Sequence, residues 1–114
     1  MKIHYLEIVS KDLEASCKWY EELHGLRFGK ADNALGGART AQLATGELLG
    51  IRGPLSATEE PIVRPYVLTD DIELSVKNAV ALGAEPALPP TPIEGHGICA
   101  IVIKDGVQSG LWQV

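Results

Sequence analysis

The sequence predicts an α+β fold of two βαβββ modules, eight strands in a curved sheet around a cup with two helices outside. Three observations predict it. A seven-residue stretch occurs twice: Asp12-Leu13-Glu14-Ala15-Ser16-Cys17-Lys18 returns 59 positions later as Asp71-Ile72-Glu73-Leu74-Ser75-Val76-Lys77. Asp, Glu, Ser and Lys recur, and the apolar slots stay apolar. Each copy follows a strand-like run and leads to a glycine, Gly25 or Gly83, and each glycine is followed by three strand-like segments. Residues 1–114 read as a single domain, with module 1 at about 1–53 and module 2 at about 62–114.

In module 1, Ile3 to Val9 is a strand. Period-2 spacing puts His4, Leu6 and Ile8 on the helix-facing side, and Ile3, Tyr5, Glu7 and Val9 on the other. A helix runs from about Lys11 to His24 with Ser10 as N-cap, and Leu13, Cys17, Tyr20 and His24 share its buried stripe. Gly25 stops it. Leu26 to Gly29 is a short strand and Asn33 to Gly37 a loop. Ala38 to Thr45 and Glu47 to Arg52 are strands joined through Thr45-Gly46.

Gly53 to Pro61 reads as a linker, and the pattern then restarts. Val63 to Leu68 is a strand. Asp70 caps the second helix with Glu73 as its capping-box partner, and Ile72, Val76, Ala79 and Val80 form its buried face. Glu85 to Leu88 is a short strand. Pro89-Pro90-Thr91-Pro92 is stiff and placed outside any sheet. Glu94 to Gly97 is a turn. Ile98 to Ile103 and Val107 to Gln113 form a hairpin across Asp105-Gly106.

A formal net charge of −5 with no basic cluster argues against nucleic acid and anionic membrane surfaces as partners. No run approaches the roughly 20 apolar residues of a membrane-spanning helix, and no leader peptide is recognisable. Cys17 and Cys99 have neither metal nor redox spacing. The expectation is a cytoplasmic protein with two reduced, buried thiols.

One strand-helix-three-strand unit leaves a sheet face bare. Two copies can turn those faces toward a common cup, a favoured place for a small ligand. At the 59-residue shift Tyr5 aligns with Arg64 and Glu7 with Tyr66. In the last strand of each module Gly50 aligns with Gly110, and Arg52 with Trp112, at a shift of 60.

Tyr5-Leu6-Glu7-Ile8, Tyr66-Val-Leu-Thr-Asp-Asp, Leu88-Pro-Pro-Thr-Pro-Ile and Gly110-Leu-Trp-Gln, in this order and spacing, resemble the vicinal oxygen chelate superfamily. That superfamily includes glyoxalase I, extradiol dioxygenases, methylmalonyl-CoA epimerase, fosfomycin-resistance enzymes and bleomycin-binding proteins. The resemblance implies a homodimer. It also implies four metal-ligand places, on the first and last strands of both modules. Here they hold Tyr5, Gly50, Arg64 and Gly110, and none is a usual nitrogen or oxygen donor to a divalent ion. The expected cofactor is therefore none.

The candidate ligand-binding residues are Tyr5, Glu7, Arg52, Arg64, Tyr66, His96 and Trp112. Arg64 is either a structural partner of Glu7 or a cationic anchor for a polar ligand group. Tyr5 and Tyr66 fill space or hydrogen-bond a ligand, and Trp112 is an apolar wall. Arg52 has the right parity but lies near a solvated strand end. His96 sits in a loop able to close over the cup. Glu7 is the candidate general base, a role that requires burial to raise its pKa. His4 and His24 face the helix layer or its edge and receive no chemistry.

The expected function is metal-independent binding of a polar or aromatic organic molecule. The alternatives are a metal-dependent or cofactor-free lyase, isomerase or dioxygenase of the same superfamily, and a dimeric scaffold with a filled cup.

Overall fold

The computed structural model describes all 114 residues. It is α+β, with two helices and eight strands in the order βαβββ, twice. The chain forms two compact units, Tyr5–Val63 and Met1–His4 with Arg64–Val114. No helix is long and apolar enough to cross a membrane.

The first unit holds β1 (Ile3–Val9) from Tyr5 onward, α1 (Leu13–His24), β2 (Ala31–Asp32), β3 (Ala38–Gln42) and β4 (Leu48–Arg52). β1 runs parallel to β4, β3 antiparallel to β4, and β2 antiparallel to β3. Ile8, Cys17, Phe28, Ala41, Leu49 and Ile51 form the core, with Leu6, Leu13 and Tyr20 packed against it. The alternation in β1 and the stripe on α1 thus meet as their periods require. His24, at the end of that stripe, is exposed and makes ring contacts with Tyr20 and Trp19.

The second unit holds β5 (Ile62–Leu68) from Arg64 onward, α2 (Ile72–Ala81), β6 (Glu85–Ile93), β7 (Gly97–Lys104) and β8 (Val107–Gln113). β5 is parallel to β8, and β8, β7 and β6 follow as an antiparallel meander. Ile72 is buried on α2, but Val80 is 43% exposed, contrary to its expected place on the buried face. At about 100° per residue Ala79 falls within about 20° of Ile72, whereas Val80 is about 80° away.

Both helix starts differ from the sequence reading in the same way. Asp12, not Ser10, caps α1, its carboxylate accepting from the Ala15 N–H at 3.1 Å. Asp71, not Asp70, caps α2 and accepts from the Leu74 N–H at 3.1 Å. The hydroxyls two residues earlier take a second role. Ser10 accepts the Asp12 N–H and bonds Ser16, and Thr69 accepts the Asp71 N–H and bonds Ser75. The duplication therefore extends through the caps.

Two further expectations fail for identifiable reasons. Leu26 to Gly29 is not a strand, because its backbone groups are taken elsewhere. Glu21 accepts the Phe28 N–H, Gly29 donates to the Thr40 carbonyl, and Arg39 donates to the Phe28 and Gly29 carbonyls. Strand pairing begins instead at Ala31, and part of the expected loop, Asn33–Leu35, is a 3-10 turn capped by Asp32. Pro89 to Pro92 lie inside β6. That strand ends its sheet order, where prolines are tolerated, and register shifts between Pro86 and Thr91 absorb them.

Candidate functional site

The two parallel pairings place equivalent residues at equivalent points. Glu7 lies opposite Gly50 and Val9 opposite Arg52, while Tyr66 lies opposite Gly110 and Leu68 opposite Trp112. The shifts of 59 and 60 residues hold for both pairs.

In the first unit, Arg52 is the centre. Its sequence position near a strand end suggested solvation, but it is 5% exposed. Arg52 Nε donates to Glu7 Oε2 at 2.8 Å, and Nη1 and Nη2 donate to Glu59 Oε1 and Oε2 at 2.7 and 2.9 Å. Nη1 also donates to the Gly53 carbonyl at 3.1 Å. The bond to Glu59 is the main cause raising the Arg52 pKa above its ordinary value; burial opposes it and the bond to Glu7 adds to it. Residues 53–61 are thus more than a linker. Their fold-back is fixed by Glu59, which also accepts the Leu55 N–H at 2.7 Å.

Tyr5 is 3% exposed, and its side chain covers Gly50 so closely that a Cβ there would overlap the phenol oxygen. Burial pushes the Tyr5 pKa up; the Glu7 and Asp32 carboxylates push the same way and Arg52 opposes them. Tyr5 is therefore a neutral phenol that fills space.

In the second unit, Arg64 is 6% exposed. Its Nε donates to Gln108 Oε1 at 2.9 Å, and its Nη1 to the Tyr66 hydroxyl at 3.4 Å. The Tyr66 ring covers Gly110, where a Cβ would collide with the ring and stand 2.8 Å from the Pro65 carbonyl. Tyr66 also meets Trp112 edge-to-face at 5.4 Å. Trp112 is 3% exposed, and its Nε1 donates to the His96 carbonyl at 2.8 Å. His96 is thereby tied through its backbone to β8 and is half-buried.

His4, to which the sequence reading gave no chemistry, lies with its ring 5.7 Å from Trp112. Burial lowers its pKa below the ordinary 6.5, and Lys2 and His96 lower it further. Sequence reasoning also missed Gln108 and Glu59. Gln108 shares the parity of Gly110 and Trp112 along β8, so alternation would have found it. Glu59 lies in a polar segment without periodicity, and nothing in the sequence marks it.

The four places where the resemblance implies metal ligands hold Tyr5, Gly50, Arg64 and Gly110. They offer a neutral phenol, a guanidinium that provides only donors, and two glycines covered by tyrosine rings. A ligating side chain on either glycine would have to enter space already filled. No three His, Cys, Asp or Glu side chains are grouped to hold a metal ion. The residues present do not fit a divalent ion at those places.

Methylmalonyl-CoA epimerase of Streptomyces coelicolor, solved as a variant in complex with 2-nitronate-propionyl-CoA, superposes with a TM-score of 0.72 at 17% identity. The match covers 99% of this chain and 96% of that one. The fold is similar to that of methylmalonyl-CoA epimerase. The Mycobacterium tuberculosis epimerase matches at 0.71 and 16% identity, over 97% and 86% of the two chains. A hypothetical protein from Bacillus halodurans C-125 matches at 0.77 and 15%, over 99% and 94%. No protein-family model and no curated protein matches the sequence. Methylmalonyl-CoA epimerase is a member of the vicinal oxygen chelate superfamily that the sequence motifs resemble, and the chain shares its βαβββ architecture.

Proposed function

We propose that the chain is a metal-independent small-molecule-binding protein with the vicinal oxygen chelate fold, taking a polar or aromatic organic ligand. One observation carries this reading: Tyr5 fills the side-chain space of Gly50, and Tyr66 fills that of Gly110. Two of the four places that hold metal ligands in superfamily relatives are thereby closed to a donor side chain. The remaining polar handles suit an organic group. Arg52 and Arg64 are buried guanidinium forks, one in each unit, with Tyr5 beside the first and Tyr66, itself packed edge-to-face on Trp112, beside the second.

Thermal-shift screening against divalent metals, polar metabolites and aromatic acids, before and after chelation, tests the reading. A binder of this kind gains stability from an organic ligand and is indifferent to the chelator. Stoichiometric, tightly bound divalent ion in protein purified without chelator, with loss of stability on its removal, would overturn it.

A cofactor-free isomerase is the second reading, and its support is the fold shared with an epimerase. Glu7, buried beside Arg52, is the base it would use. Deuterium uptake from solvent by methylmalonyl-CoA, lost in Glu7→Gln, is the sign of it. We further propose a cytoplasmic homodimer. Trp19 and Leu23 support it, lying one turn apart on α1 and more than half exposed; light scattering gives the mass.

A further inference from the structure

We propose that Glu59 is a built-in stand-in for a ligand: Arg52 is a binding site for small organic carboxylates, which displace the Glu59 carboxylate and release residues 53–61. The inference rests on the reading of the chain as a small-molecule binder and adds the ligand's chemical class. Glu59 meets Arg52 as an external carboxylate would, two oxygens on two guanidinium nitrogens at 2.7 and 2.9 Å. That two-point contact of a guanidinium fork suits a carboxylate.

The two acidic partners of Arg52 are not equivalent. Glu7 is fixed in β1 opposite Gly50, and its side chain is 9% exposed. The Glu59 side chain is 22% exposed and belongs to a segment outside regular structure. Residues 54–58, 60 and 61 are exposed around it. Glu59 is therefore the partner that can leave.

Exchange also avoids the main cost of opening a buried ion pair. One carboxylate departs as another arrives, so the guanidinium keeps its counter-charge. The Leu55 N–H that Glu59 accepts passes to water, since Leu55 is 67% exposed. The Arg52 stem has its own seat. Gly36, with φ +69°, leaves room for it, and a Cβ there would stand 3.2 Å from Arg52 Cδ. That seat and Glu7 hold the fork in position while the strap moves.

An internal competitor lowers the apparent affinity for an external one, because the binding-competent state is only a fraction of the population. The experiment is calorimetric titration of benzoate, with neutral benzamide as control, into the full chain and into Glu59→Gln. The variant is expected to bind benzoate about tenfold more tightly than the parent while benzamide is unaffected. Adding Arg52→Lys, which removes the planar fork, is expected to abolish the gain. A second measurement uses the parent alone, so it stands even where Glu59→Gln fails to fold: saturating benzoate should accelerate hydrogen exchange at the Leu55 amide.

Equal benzoate affinity in a cooperatively melting Glu59→Gln variant overturns the proposal. So does unchanged Leu55 exchange in the presence of saturating benzoate, and so does the absence of benzoate binding to either protein. These failures leave the chelator experiment above untouched, while a tightly bound metal ion would sink the earlier reading without altering the Glu59→Gln result.

Discussion

Tyr5 occupies the space that a side chain on Gly50 would need, across the parallel pairing of β1 and β4. Tyr66 does the same to Gly110 across β5 and β8, but there the Pro65 carbonyl also closes the space, at 2.8 Å. The difference separates how strongly each glycine position is coupled to its tyrosine.

Gly50→Ala and Gly110→Ala should each destabilise the chain by about 1–3 kcal/mol through overpacking. Gly53→Ala, with nothing within 4 Å of the new atom, should stay within about 0.5 kcal/mol. Tyr5→Ala should remove most of the Gly50→Ala penalty, because the clash is with Tyr5 itself. Tyr66→Ala should only partly relieve Gly110→Ala, because the Pro65 carbonyl stays. Urea denaturation of the two double-mutant cycles measures both couplings; equal relief in the two cycles contradicts the geometry.

Arg52→Ala should cost about 3–5 kcal/mol, since Glu7 stays buried without the guanidinium it faces. The exposed Lys104–Asp105 pair is the contrast. Lys104→Ala should cost less than about 1 kcal/mol. Chemical denaturation of both variants gives the comparison.

The duplicated caps predict a matched pair of effects. Asp12→Ala and Asp71→Ala should each cost about 1 kcal/mol, because each removes a side-chain acceptor from the first turn of its helix. Asp70→Ala, one residue before the true cap of α2, should cost less than about 0.5 kcal/mol. A larger loss at Asp70 than at Asp71 in thermal melts would return the cap to its sequence-predicted place.

His4 sets a pH dependence of known sign. Its folded pKa lies below the ordinary 6.5, so acid favours the unfolded chain, which binds the proton more readily. The His4 contribution is fully present above pH 6.5 and is lost as pH falls through the lowered folded value. His4→Gln should flatten this part of the stability profile, as read from melting temperature against pH. A parent profile that rises on acidification through this range contradicts the sign.

Two periods made most of the architecture legible. The 59-residue repeat and the alternation along each strand placed Glu7 and Tyr66, Gly50 and Gly110, and Arg52 and Trp112 in equivalent positions, and the pairing of β1 with β4 and β5 with β8 matches them. Period and repeat are local properties, written wherever a face must alternate between core and solvent. Helix starts were less legible: Ser10 and Asp12, like Asp70 and Asp71, are all competent caps, and the choice depends on which side chain reaches the first-turn N–H.

By itself, the sequence determined the α+β class, the repeated order of strand, helix and three strands, and the equivalence of residues along β1, β4, β5 and β8, because these follow from a repeat and from alternation within short windows. Only the tertiary structure decided that Arg52 is buried between Glu7 and Glu59, that Tyr5 and Tyr66 cover glycines, and that His4 sits against Trp112. Those are meetings of residues 45, 7, 45, 44 and 108 positions apart or their near equivalents, and side-chain reach in a packed interior follows neither period nor spacing.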